Sequence, residues 1–170
     1  MLHRYRKSIF MLTEKLHALQ ANPENIALLF DLQKALLTKI KYADARIVTL
    51  KAKRRTLVQQ KKSGQSKEQS KLTKKAITLI DEAIEETQQL LFLWRCFGDG
   101  IAFIYINKHA LKHMLYNTHS YDMKPAAGAM IGKIGLRKEW SILKLILSKE
   151  IPAVLSDLTN TIRHGDICVL

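Results

Sequence analysis

The sequence has only two cysteines, three prolines and seven glycines among its 170 residues. Cys96 and Cys168 lie far apart and no CxxC pair occurs. Neither a zinc ribbon nor a disulfide framework is indicated, and two buried thiols in a reducing compartment are expected. Long apolar runs are missing as well. The N-terminus, MLHRYRKSIFMLTEKL, has no continuous apolar segment and no small-residue cleavage site, so it does not read as a signal peptide. The most apolar stretch, Leu90 to Ile106, is broken by Arg95 and by Gly98-Asp99-Gly100, too short and too interrupted to span a membrane. The expected location is cytoplasmic, with no membrane partner.

Acidic residues are also scarce, 15 against 28 Lys and Arg, leaving a net charge of +13. A balance this basic favours polyanionic partners, nucleic acid before anionic membrane. Hydrophobic residues make up 47% of the chain, enough for a real core and too many for wholesale disorder.

Several catalytic signatures are absent. The Walker spacing does not occur, and Gly132-Lys133-Ile134-Gly135 does not reproduce it; GxSxG and GxGxxG are missing too. His109 and His113 share a helical face, with His119 close behind, but Ala110 stands where a zinc protease needs glutamate. Surface or packing histidines are the better reading.

Helical periodicity dominates what is present. Residues 4–21 form a first helix, closed by Asn22-Pro23-Glu24, where Asn can cap and Pro suits a first helical position. A long helix over about 24–62 carries Leu32, Leu36, Ile40, Ala43, Ile47, Leu50 and Leu57 on one face. Ser63-Gly64-Gln65-Ser66 then breaks the chain. A second long helix over about 68–97 carries Ala76, Ile80, Ala83, Thr87, Leu90, Trp94 and Phe97 at alternating spacings of four and three, a heptad seam. Two such helices joined by a short polar loop pair antiparallel. About forty residues at ~1.5 Å each would carry the tip roughly 60 Å out.

That tip concentrates the charge. Ten cations (Lys51, Lys53, Arg54, Arg55, Lys61, Lys62, Lys67, Lys71, Lys74 and Lys75) face a single acid, Glu68. Either the tip is a phosphate-tracking arm or it is a solvated, self-repelling helix end. No aromatic side chain interleaves with these charges, so contact would be with the DNA backbone and carry little sequence preference. The acidic stretch Asp81-Glu82-Ala83-Ile84-Glu85-Glu86 could pair with Lys39, Lys41 or Arg46 on the neighbouring helix. Arg95 to Ile106 reads as a hinge; the apolar run after Gly98-Asp99-Gly100 fits a buried helix or a strand, the better reading being a helix that reaches Leu115, with Asp99 capping its start or pairing with Arg95.

The chain thus divides into a helical region over 1–116, a connector over 117–135 rich in glycine, and a C-terminal unit over 136–170. In the last, Leu136, Trp140, Leu143 and Leu147 stripe a helix of about fourteen residues. Ile151 to Leu155 and Ile167 to Leu170 read as short strands around a polar turn, Asp157 to Gly165. The expected fold is mainly α: a long antiparallel hairpin followed by an incomplete helix-strand-strand unit.

This order, with the string from Asp157-Leu158-Thr159-Asn160 through Arg163-His164-Gly165-Asp166-Ile167, resembles the start of the PD-(D/E)XK, or restriction-endonuclease-like, nuclease core over roughly residues 132–170. The resemblance implies Asp166 as the metal-binding aspartate and Glu139 as the helix glutamate of a site that uses Mg²⁺. Hydrolysis of a phosphodiester there needs a hard divalent cation held by carboxylates. The family's Glu/Asp-x-Lys has no counterpart after Asp166, and no Glu-x-Lys occurs in the chain. The expectation is therefore a truncated or split nuclease-like protein that binds nucleic acid but is inactive as this chain alone, with Mg²⁺ relevant only if a second chain supplies the missing part. The competing expectation is a non-enzymatic helical protein that binds nucleic acid or a partner helix. An open strand edge and an exposed heptad face both allow self-association.

Overall fold

The structure is a computed structural model describing residues 2–63 and 66–170. Five helices and two short strands follow in order: α1 Leu2–Ala21, α2 Ile26–Lys62, α3 Lys67–Tyr105, α4 Lys108–Leu115, α5 Leu136–Leu147, β1 Ala153–Leu155 and β2 Ile167–Val169. A single 3-10 turn, Ser156–Leu158, follows β1. The fold is mainly helical, built on the long α2–α3 hairpin. Gly64 and Gln65, the middle of the expected hairpin loop, lie outside the described residues.

The hairpin forms where the seam residues place it. Leu32, Leu36, Ile40, Ala43 and Ile47 of α2 are buried against Thr87, Leu90 and Trp94 of α3. Ser66 opens α3 with a reciprocal capping box, its hydroxyl accepting from Gln69 N–H while Gln69 Oε1 accepts from Ser66 N–H. The cap of α2 is Asn25 rather than Asn22: its Oδ1 accepts from Leu28 N–H at 3.1 Å. Residues 22–24 form the turn before it. α1 packs antiparallel beside α2, where Lys39 Nζ donates to Ser8 Oγ and Lys15 lies near Asp31, and Tyr5 meets Trp94 of α3 edge-on at 6.0 Å between ring centroids.

Gly98-Asp99-Gly100 proves not to be a hinge. α3 runs unbroken through it to Tyr105, and the chain bends instead at Ile106–Asn107. Both glycines serve close approach between elements. A Cβ on Gly98 would collide with the carbonyl of Leu158, and one on Gly100 would sit 2.6 Å from Leu16 Cδ2 of α1. Asp99 neither caps a helix nor pairs with Arg95. Its Oδ1 accepts from Asn160 N–H (2.8 Å), Thr161 N–H (2.9 Å) and Thr161 Oγ1–H (2.8 Å), and its Oδ2 from Asn160 Nδ2–H (2.9 Å). The segment expected as a polar turn is thereby pinned to α3, with Leu158, Thr159 and Ile162 buried beneath it.

β1 and β2 pair antiparallel, with Val154 opposite Cys168. The far edge of β1 is closed by a side chain. Gln33, fully buried on α2, donates to Ala153 O at 2.9 Å and accepts from Leu155 N–H at 3.0 Å. One amide thus does for β1 what a third strand would do, satisfying a donor and an acceptor that burial would otherwise leave unpaired. α5 packs on the same base through Trp140, whose ring lies 5.5 Å from Phe30 of α2. The two cysteines are free and half-buried, and burial pushes both thiols above their ordinary value. Among the described residues no helix is long and apolar enough to cross a membrane.

The Gly98 contact is with backbone, which cannot yield as a flexible side chain can. Gly98→Ala is expected to lower stability by roughly 2–4 kcal/mol in thermal or urea denaturation. Gly128→Ala, at a position where a Cβ meets nothing within 4 Å, is the matched control and should leave stability unchanged.

Candidate carboxylate and lysine site

The fold brings Glu139 and Asp166 together, and adds two residues to them. Lys133 Nζ lies 2.8 Å from Asp157 Oδ2, 2.9 Å from Glu139 Oε2 and 3.1 Å from Asp166 Oδ1. Four short segments supply these groups, each held differently.

Glu139 stands in the first turn of α5 and folds back over the helix start. A Cβ on Gly135 would lie 2.7 Å from Glu139 Oε1, so glycine there leaves room for the carboxylate. Asp157 rides on the 3-10 turn after β1, and its carbonyl accepts from Arg95 Nε–H at 3.2 Å. Asp166 enters β2 after Gly165, whose φ of +67° favours glycine; its carbonyl accepts from Ser156 N–H at 3.0 Å. Lys133 follows Gly132, at φ +78°, in the strap between α4 and α5.

That strap is anchored from the hairpin. Asp44 of α2 accepts from Met130 N–H at 2.7 Å, and Arg95 of α3 donates to Gly128 O at 3.0 Å. Arg95 is buried, and burial lowers its pKa, opposed by the charges of Asp44, Asp157 and Asp99. The connector is thus tied to both long helices just ahead of Lys133.

Burial alone would lower the Lys133 pKa. Its contacts with Asp157, Glu139 and Asp166 outweigh that, and the net value is raised well above that of an ordinary lysine. A raised lysine is charged in the folded state, so it contributes stability through neutral pH and loses it only as strongly alkaline pH deprotonates the folded form. The three contacts are unequal. Glu139 and Asp157 side chains are 10% and 17% exposed, whereas Asp166 is 64% exposed and its pairing is screened by water. Glu139 Oε2 faces Nζ out of line for a hydrogen bond, so that contact is an ion pair rather than a directed bond.

As arranged, the cluster does not fit a metal ion. The donor set suits a hard divalent cation, but the ammonium holds the centre, and among the described residues no group of three or more His, Cys, Asp or Glu side chains is placed to ligate one. His109, His113 and His119 are exposed, and His119 Nδ1 meets only Thr118 Oγ1, at 3.1 Å.

The ten tip cations lie far along the hairpin from this cluster, and every one is exposed. Among the described residues only Arg54 is ion-paired, its Nε 2.5 Å from Asp81 Oδ1. Asp81 therefore finds its partner at the tip, not at Lys39, Lys41 or Arg46; Lys39 donates to Ser8 Oγ instead.

Sequence reasoning missed Lys133 and gave Asp157 no role. One Asp-x-Lys string does exist, Asp122-Met123-Lys124, but Lys124 Nζ donates to His113 O and takes no part in the cluster. No protein-family model, no curated protein and no solved structure matches the chain.

Replacing Lys133 with methionine would leave two largely buried carboxylates without their cation. A loss of about 1–3 kcal/mol is expected in thermal denaturation at neutral pH. Ile134→Ser, at a fully exposed neighbour, should cost nothing measurable.

Proposed function

We propose that this chain binds nucleic acid through the phosphate backbone, with the hairpin tip as the contact. We further propose that its helix-strand-strand unit is a nuclease-type core that does not hydrolyse nucleic acid in this chain. The observation that carries the binding reading is the state of the tip: ten exposed cations, of which only Arg54 has an ion-pair partner among the described residues. Packing a net of nine positive charges onto one helical tip opposes folding through self-repulsion. A phosphate backbone relieves that repulsion and releases counterions on contact.

The nuclease-type reading is supported by the meeting of Glu139 and Asp166, the pair the resemblance singles out, on one side of the base. The resemblance would have Asp166 and Glu139 hold Mg²⁺, but in this chain Lys133 Nζ stands between them, so the reading assigns no metal-assisted step to this arrangement. Lys133 now neutralises those carboxylates, and the Glu/Asp-x-Lys strand has no counterpart among these residues. The reading therefore pairs binding with absence of hydrolysis.

Lys53→Glu, Arg54→Glu and Arg55→Glu together should weaken DNA binding at least tenfold in fluorescence anisotropy at low salt. They should also flatten the dependence of log K on log salt. An unchanged affinity would remove the tip from the interface. In the same assay mixture, supercoiled plasmid with Mg²⁺ or Mn²⁺ should remain uncut. Cleavage that tracks the purified chain and is lost in Asp166→Asn would show the core to be complete.

A further inference from the structure

We propose that a second phosphate contact lies midway along the hairpin, in the cavity where the start of α1 meets α2 and α3, and that the backbone held at the tip runs on into it. This rests on the nucleic-acid reading above and extends it to residues outside the charged loop. The cavity measures about 410 Å³ and is lined by His3, Arg4, Tyr5, Arg46, Glu86 and Thr87, with Leu90 at its floor.

Three observations support it. First, Arg4 and Arg46 converge from different helices, and neither is ion-paired among the described residues. Two guanidinium groups lining one cavity against a single carboxylate, Glu86, leave an excess of positive charge that an anion offsets, and the planar fork of arginine matches phosphate oxygens. Second, the approach is built rather than incidental. Tyr5 packs edge-on against the buried Trp94, which fixes the first turn of α1 and sets His3 and Arg4 over the cavity. Third, a surface groove of about 440 Å³ adjoins it, lined by Tyr42, Arg46, Thr49 and Lys53 of α2. Spacings of four, three and four put these on one face of the helix. Arg46 belongs to both depressions, and Lys53 belongs to the tip, so the groove links the tip to the cavity.

The charge balance selects the ligand. The two arginines and the one glutamate that line the cavity sum to one net positive charge. That matches the single negative charge of a phosphodiester within a strand, not the doubly charged terminal phosphate of a nucleotide. The exposed Tyr42 ring stands beside the path, where it can lie against a base.

The test uses the full chain and a dye-labelled oligothymidylate without terminal phosphate, read by fluorescence anisotropy across a salt series. Arg46→Met and Arg4→Met each keep the stem and remove the charge, at half-buried and exposed positions, and an unchanged circular-dichroism melt confirms that they fold. Each should weaken binding roughly five- to tenfold at low salt and reduce the slope of log K against log salt by about one, the signature of one lost phosphate contact. Unchanged affinity and slope, in variants that fold while the tip triple variant is impaired, would overturn the second contact and leave the tip reading intact. No binding by the unaltered chain would overturn both. An effect seen only with a 5′-phosphorylated oligonucleotide would overturn the assignment to an internal phosphodiester.

Discussion

The docking of residues 157–162 onto α3 is the contact on which the rest of this structure depends. A strand pair of three residues each has no independent stability. It persists because α3 presents one consistent surface to the segment between the strands. Arg95 takes the carbonyl of Asp157, Gly98 lets the backbone at Leu158 lie against the helix, and Asp99 accepts from four donors at Asn160 and Thr161. These residues are three and four apart, so they share the face that the heptad seam leaves free once Trp94 has been buried. Gln33 closes the sheet from the opposite side. The C-terminal unit is thus clamped between the two hairpin helices, and the positions of Asp157 and Asp166 follow from the hairpin.

Charge is handled in opposite ways at the two ends of the molecule. At the base, ionisable groups are paired and partly buried: Lys133 among three carboxylates, Arg95 on two carbonyls, Asp44 on a backbone amide. Buried charges left without partners would cost several kcal/mol each, so pairing there is a condition of folding. At the tip the cations stand in water, where an unpaired charge costs little beyond mutual repulsion. A single pair, Arg54 with Asp81, ties the basic region to the acidic stretch of the opposite helix and contributes to register more than to stability. The base therefore spends its charges on its own fold, while the tip keeps nearly all of its charges available to a partner.

The sequence made the hairpin readable because one physical signal repeats along it. Apolar residues recurring at helical spacing over 32–57 and again over 76–97 leave little choice of element or pairing, and every residue assigned to the two seams from Leu32 to Phe97 is buried or half-buried. The strands were readable from Ile151 to Leu155 and Ile167 to Leu170 for the same reason on a shorter scale, though each proved only three residues long. Gly98-Asp99-Gly100 was misread because a glycine that permits a turn and a glycine that permits close packing are the same letter. Only the partner, here a carbonyl sixty residues away, distinguishes them. Asn22 and Asn25 present the same ambiguity three residues apart. Lys133 was invisible for a related reason: its role is defined by carboxylates at 139, 157 and 166, and no local pattern links them.

The imbalance within the cluster separates its structural part from its available part. Three carboxylates meet one ammonium, and Arg95 behind them supplies a second positive charge near Asp157. Arg95 is shared with Asp44 and Asp99, so Lys133 is the main cation of the cluster, and the carboxylates that most need it are the less exposed ones, Glu139 and Asp157. Asp166 is the surplus acid, and its exposed side chain is solvated whether or not Lys133 stays close. Detaching Asp166 from the ammonium costs little, whereas detaching Glu139 or Asp157 strands a charge in the interior. Glu139, Asp157 and Lys133 therefore form a fixed floor set by the fold, and Asp166 is the member free to meet something else. The residue that the nuclease resemblance names as the metal ligand is also the one that the electrostatics of this base leaves uncommitted.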